Sequence, residues 1–334
     1  MSSVRTGSLA LALATSAAGC SDGRYPLDDV LTFVDVQARG THNSYHVEMV
    51  PPLHRSHAYT HAPLDVQLEA HGIRQLELDL HVTTDGTFEI FHLPAGADEG
   101  STCRKLVDCL TTIERWSSAH PDHLPLVVWI EPKDEDLDWA DERYQPLTGQ
   151  FPRLERELLS VFPRDRVLTP DDVRGDHATL PAAIAADGWP TLGALRGHIL
   201  FSMLDSGTHR AAYLDGAPAL EGRLMFVDAD TSTDAYAATF KIDDAAGEAA
   251  RVRALVAAGF MVTSNVDAAD ETDADNTAKL AASLAAGAHF VSSDFDAPTP
   301  GYDPRIPGGT PARCHPLRAP AGCTSADVEA LDAE

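Results

Sequence analysis

Within the stretch GIRQLELDLH at residues 72–81, two kinds of side chain alternate strictly from Gln75 to His81. Successive residues of an extended chain point to opposite faces, so Leu76, Leu78 and Leu80 share one side and Glu77, Asp79 and His81 the other. The leucine face calls for a covering layer. The other face sets two carboxylates side by side, where they repel each other and are costly to desolvate. A bound cation removes both difficulties. This is therefore read as a strand between an apolar layer and a polar interior that holds a metal ion.

Other extended runs flank it. Residues 36–39 lead into Gly40-Thr41-His42-Asn43-Ser44-Tyr45-His46, and residues 88–92 follow after a tight turn at Thr84-Asp85-Gly86. LVVWIE at 126–131 is a strongly apolar strand, and 199–204, 224–227, 260–263 and 289–292 complete eight candidate strands. Helical patterns lie between most of them, at 64–71, 105–119, 154–161, 245–258 and 276–286. The second has Leu106, Leu110 and Ile113 at three- and four-residue spacing, and the last two stop at Gly259 and Gly287. Alternating strands and helices in this number fit an α/β chain folded as a (β/α)8 TIM-like barrel, irregular where no helix joins the second and third strands. The barrel is expected over 21–297. A Pro- and Gly-rich extension over 298–334 is too small for a core of its own.

Residues 1–20, MSSVRTGSLALALATSAAGC, have one early cation, Arg5, then a short apolar run and small residues, the order of an export signal. The signal ends at Cys20 in a sequence resembling a lipoprotein cleavage box, although Ala17 stands where leucine is usual. The expectation is an exported protein, either a bacterial envelope lipoprotein anchored at Cys20 or a secreted one. No later segment is apolar enough to span a membrane. The remaining cysteines, Cys103, Cys109, Cys314 and Cys323, suggest two disulfides in an exported chain. Three pairings exist, and the local one, Cys103–Cys109 with Cys314–Cys323, closes two short loops. The net charge of −26 excludes a nucleic-acid binder, since the surface repels polyanions.

Active sites of such barrels lie at the C-terminal ends of the strands. There the sequence offers Asn43, Glu77, Asp79 and Glu131 as oxygen ligands, with His42 and His92 beside them. Such a donor set suits a hard cation, Ca2+ or Mg2+, better than zinc, and two histidines suit paired general-base and general-acid work. Lys133 shares a face with Glu131, for phosphate contact or a surface ion pair. His46, His54 and His57 share a loop and are taken as solvated. Asp205, Asp228, Asp267 and Asp294 fall at or after later strands, where they contact substrate hydroxyls or cap loops and helices.

Together these motifs resemble the calcium-dependent bacterial branch of phosphatidylinositol-specific phospholipase C. GTHNSYH, YTHAPL, GIRQLELDLH, VVWIEPK, WPTLGALRGHILF and GAHFVSSDF carry the likeness across residues 36–295. It implies a phosphodiesterase that cleaves phosphatidylinositol in a membrane surface to diacylglycerol and inositol 1,2-cyclic phosphate, then inositol 1-phosphate. In that resemblance His42 matches the general base, His92 the general acid, and Asn43, Glu77, Asp79 and Glu131 the calcium ligands. His61, in the YTHAPL segment, is either structural or on the substrate side. The chain has no evident Lys/Arg cluster for further ring phosphates, so plain phosphatidylinositol is expected. Two alternatives remain: a glycerophosphodiester phosphodiesterase-like hydrolase, against which His42-Asn43 argues because that family shows His-Arg there, and a non-catalytic lipid-anchored binding protein.

Overall fold

The computed structural model describes residues 25–133, 142–309 and 311–329. The export signal, Cys20 and the last few residues of the expected extension lie outside them. The strands are β1 (Val36–Thr41), β2 (Ile73–Thr83), β3 (Phe88–Ile90), β4 (Leu126–Pro132), β5 (Tyr144–Gln145), β6 (Ile199–Met203), β7 (Phe226–Val227), β8 (Thr239–Lys241), β9 (Met261–Asn265), β10 (Phe290–Ser293) and β11 (Ala312–Cys314). The helices are α1 (Leu64–Glu69), α2 (Leu106–Ala119), α3 (Phe151–Val161), α4 (Pro170–Arg174), α5 (Leu180–Ala186), α6 (Leu192–Leu195), α7 (Thr208–Leu214), α8 (Ala249–Ala257) and α9 (Asp273–Ala286).

Parallel pairing runs β7-β6-β4-β2-β1-β10-β9-β8. A single bridge between Asp228 and Thr239 brings β7 to β8, so the eight parallel strands form a nearly closed barrel. Two expectations about strands are corrected. The run at 88–92 is not a barrel strand: β3 turns back antiparallel on β2, with Leu80 opposite Ile90, because the turn Thr83 to Thr87 is too tight for a crossover. The eighth barrel strand is β8, three residues long and absent from the strands expected from sequence.

Register explains the alternation in β2. Gln75, Glu77 and Asp79 pair with Val127, Trp129 and Glu131 of β4 and therefore share a face with them. Trp129 Nε1 donates to Thr263 Oγ1 of β9 at 3.2 Å across the barrel, so this face is the interior. Leu76, Leu78 and Leu80, fully buried, point outward into the layer covered by helices. The strands β1 and β2 approach closely: a Cβ on Gly40 would stand 2.9 Å from that of Gln75. The glycines after α8 and α9, Gly259 and Gly287, both have positive φ, as helix stops require.

Both local disulfides are present, Cys103–Cys109 and Cys314–Cys323. The second clips the C-terminal segment, whose β11 pairs antiparallel with the start of β1, Val36 opposite Cys314. Farther on, Glu329 receives Arg74 Nε at 3.0 Å and Nη2 at 2.6 Å in a buried bidentate pair. Trp189 is buried against Phe33 with ring centroids 4.9 Å apart.

Candidate active site

The C-terminal ends of the strands open into a polar cleft of about 460 Å³, lined among others by His42, Asn43, Glu77, His92, Glu131 and Lys133. Asn43 turns the chain out of β1 with φ of 44°, a left-handed conformation that asparagine tolerates. Ser44 then locks the turn to β2: its N–H donates to Glu77 O at 2.9 Å and its Oγ accepts from Glu77 N at 2.8 Å. His42 and Asn43 are thereby set beside Glu77.

Each histidine is held by an aspartate. His42 donates Nδ1–H to Asp294 Oδ1 at 2.8 Å, which leaves Nε2 3.6 Å from Glu77 Oε1. Asp294 is itself fixed by Ala269 N–H at 3.0 Å and by its own N–H to Asp267 at 2.7 Å. His92 donates Nδ1–H to Asp98 Oδ2 at 2.9 Å. His81 supports the backbone there, its Nε2 3.0 Å from Phe91 O and its ring stacked on Phe91 at 3.8 Å. Burial works to lower the His42 pKa, but the Glu77 and Asp294 carboxylates outweigh it and push it up to about 9.

Glu77 and Asp79 are fully buried. One oxygen from each of Glu77, Asp79 and Glu131 lies within 4.8 Å of the others. Burial and the neighbouring Asp79 push Glu131 up to about 7, whereas the facing cations outweigh burial at Asp79 and lower it. The described residues supply two internal counter-ions. Lys133 Nζ lies 3.0 Å from Glu131 and 3.5 Å from Asp79, and Lys241 pairs with Glu77. Three carboxylates against two ammonium groups leave a negative balance, and Glu77 Oε1 is buried without a hydrogen-bond partner. With its amide nitrogen toward Asp79, Asn43 donates to Oδ1 at 2.9 Å. Turned over, its oxygen would face that carboxylate, an arrangement suited to a shared cation. An orphaned buried carboxylate oxygen within an all-oxygen donor set fits a hard divalent cation.

A sequence profile of the calcium-dependent phosphoinositide phospholipase C family matches residues 31–88 and 81–316. The chain belongs to that family. Its enzymes are phosphodiesterases. Solved structures of phospholipases C share the barrel. The Ca2+-dependent phosphatidylinositol-specific phospholipase C of Streptomyces antibioticus is 21% identical with a TM-score of 0.59, covering 80% of this chain and 95% of that one. The calcium-dependent phosphoinositol-specific phospholipase C of a Pseudomonas species is 17% identical with a TM-score of 0.58, covering 86% and 97%. A mutant of the phosphatidylinositol-specific phospholipase C of Staphylococcus aureus is 17% identical with a TM-score of 0.51, covering 83% and 90%. A search of curated proteins found no match.

Within this phospholipase C barrel, His42, Asn43, Glu77, His92, Glu131 and Lys133 line one cleft, and Asp79 lies buried beside Glu131 and Lys133. His61 does not join them. It is buried, and its Nε2 donates to the backbone oxygen of His42 at 2.8 Å, which supports the His42 turn. His46 and His57 are likewise not solvated: His46 is buried, and both face Asp98. Of the four aspartates after later strands, Asp294 holds His42 and Asp267 holds Asp294. Asp205 accepts from Gly207 and Arg210 N–H at the start of α7. Asp228 accepts from Lys241 N–H at 2.7 Å and lines the cleft. Sequence reasoning missed Lys241 because it missed β8. It missed Asp98 because a loop aspartate six residues after His92 carries no pattern of its own.

Proposed function

We propose that the protein is a calcium-dependent phosphatidylinositol-specific phospholipase C that releases diacylglycerol and inositol 1,2-cyclic phosphate, then inositol 1-phosphate. The observation that carries this reading is the pair of histidine–aspartate dyads, His42–Asp294 and His92–Asp98, opening on one cleft with a carboxylate cluster at its floor. His42, with Nδ1–H committed to Asp294, presents Nε2 to take the proton of the inositol 2-hydroxyl. That oxygen attacks phosphorus, and the bond to the glycerol oxygen breaks. His92, held through Nδ1 by Asp98, gives the Nε2 proton to the departing oxygen. Ring opening by water runs the two roles in reverse.

Asn43, Glu77, Asp79 and Glu131 would hold calcium. Bound there, the ion would lower the pKa of the attacking hydroxyl and offset charge on the pentacovalent phosphorus. Lys133 and Lys241, which neutralise the same carboxylates, are then free to turn toward the phosphate. His42 needs the Glu77 charge compensated to serve as a base, since that charge helps to hold its ring protonated. The loop after β1 exposes Val50 and Leu53, 90% and 59% accessible, and is a site for bilayer contact. Such contact, together with lipidation at Cys20 after export, would bring a strongly acidic protein to a surface that repels it.

Phosphatidylinositol vesicles assayed with chelator, then with Ca2+ or Mg2+ restored, test this reading. The expected outcome is release of diacylglycerol and the cyclic phosphate with Ca2+ alone. Hydrolysis of glycerophosphodiesters, with phosphatidylinositol untouched, would overturn it.

A further inference from the structure

The loop after β1 and the loop after β3 meet at a second cluster that uses none of the three carboxylates in the cleft. His57 Nδ1 lies 3.1 Å and His92 Nδ1 2.9 Å from the same oxygen, Asp98 Oδ2. These three ligand atoms lie within 4.8 Å of one another. His92 makes a proper hydrogen bond there. His57 does not: its Nδ1 is buried and has no hydrogen-bond partner despite the short distance. His46 Nε2 lies 3.1 Å from each of the two Asp98 oxygens. An imidazole nitrogen close to a carboxylate oxygen but not directed at it is the arrangement that a shared cation would complete.

We propose that His57, His92 and Asp98 form a second metal site, for Zn2+ or a similar borderline cation, whose occupancy blocks general-acid catalysis. Two imidazoles and one carboxylate, with a fourth position for water, are a zinc donor set, whereas calcium takes oxygens. The inhibitory half rests on the role given to His92 above. Coordination uses the Nδ1 lone pair of His92, so the proton now shared with Asp98 leaves to solvent. The ring then keeps only its Nε2 proton. Giving that proton to a leaving group would produce a metal-bound imidazolate in place of a neutral ring, which makes His92 a far weaker acid. The ion would also fasten the two loops together over the cleft.

The test uses the protein with both disulfides intact and saturated with Ca2+, so that the carboxylate cluster is occupied. Titration with Co2+ should give a saturable visible absorption at one equivalent, displaced by Zn2+, and Zn2+ should inhibit vesicle turnover over the same concentration range. His57→Phe keeps a ring against His92, where the imidazole centroids are 4.7 Å apart, but removes the ligand. It should weaken Co2+ binding and Zn2+ inhibition by roughly tenfold or more, with Ca2+-dependent turnover near wild type. Equal inhibition in His57→Phe, or inhibition relieved by more Ca2+, would overturn the site. Co2+ binding that His57→Phe abolishes, with wild-type turnover indifferent to Zn2+, would overturn the switch alone and count against His92 as the acid.

Discussion

His42 and His92 are restrained in the same way, each by one aspartate at Nδ1, yet their surroundings differ. His42 sits against Glu77, and His92 belongs to a cluster of histidines around Asp98. Acid–base work and metal binding are therefore separable. His42→Ala should lower cyclisation by roughly 10²- to 10⁴-fold, the usual worth of one general base, while Ca2+ affinity by calorimetry stays near wild type. Glu77→Gln should do the converse first, weakening Ca2+ binding by roughly tenfold or more, because it removes the buried carboxylate whose Oε1 lacks a partner. Turnover surviving in His42→Ala would remove His42 as the base. Unchanged calcium affinity in Glu77→Gln would remove it from the ligand set.

At the scale of elements, legibility followed chemistry. The alternation in β2 and the apolar run of β4 were readable because each buries a face the sequence spells out, and their register sets Glu77, Asp79 and Glu131 at neighbouring strand ends. β8 was not readable. Three residues, Thr239–Lys241, hold no period, and their place is fixed by pairing with β9 rather than by local preference. With β8 went Lys241, the counter-ion of Glu77. The His61 segment resembled its family counterpart, but only the tertiary fold shows the imidazole turned in toward the His42 carbonyl. The C-terminal segment shows the same limit. Nothing local in sequence links Arg74 to Glu329, yet they form a buried bidentate pair, and Glu329 also accepts from Leu124 N–H at 2.9 Å. Burial works to raise the Glu329 pKa, but Arg74 overcomes it and holds the group below its ordinary value. Glu329→Gln leaves the guanidinium buried without its charge partner. It should cost about 3–5 kcal/mol in chemical unfolding while leaving the calcium dependence of activity unchanged. A loss below about 1 kcal/mol, the range of an exposed pair, would show that the pair does not anchor the tail.

For the molecule as a whole, the charge of −26 would favour mild acid, which relieves self-repulsion, but buried histidines oppose it. His315, on the C-terminal segment, packs 4.8 Å from His289 of the barrel. It donates Nε2–H to Gly287 O at 2.9 Å and accepts Leu317 N–H on Nδ1 at 3.2 Å, so both nitrogens are satisfied only in the neutral ring. Burial is the main cause that pushes its pKa down to about 4, from an ordinary value of 6.5. A folded-state pKa below the unfolded one means that the unfolded chain binds the extra proton. The contribution is therefore complete above pH 6.5 and is lost as pH falls through about 4. Across that window one such group is worth about 3 kcal/mol, at about 1.4 kcal/mol per unit. His315→Gln cannot titrate and keeps an amide donor for Gly287. Urea unfolding at pH 7 and pH 4 should show the stability of wild type relative to His315→Gln falling by up to about 3 kcal/mol on acidification. The comparison cancels every other titrating group, including Asp267, which burial pushes the opposite way, up to about 6. Parallel pH profiles for the two proteins would mean that His315 takes up its proton without leaving its seat, and that the tail is not the acid-sensitive part of the fold.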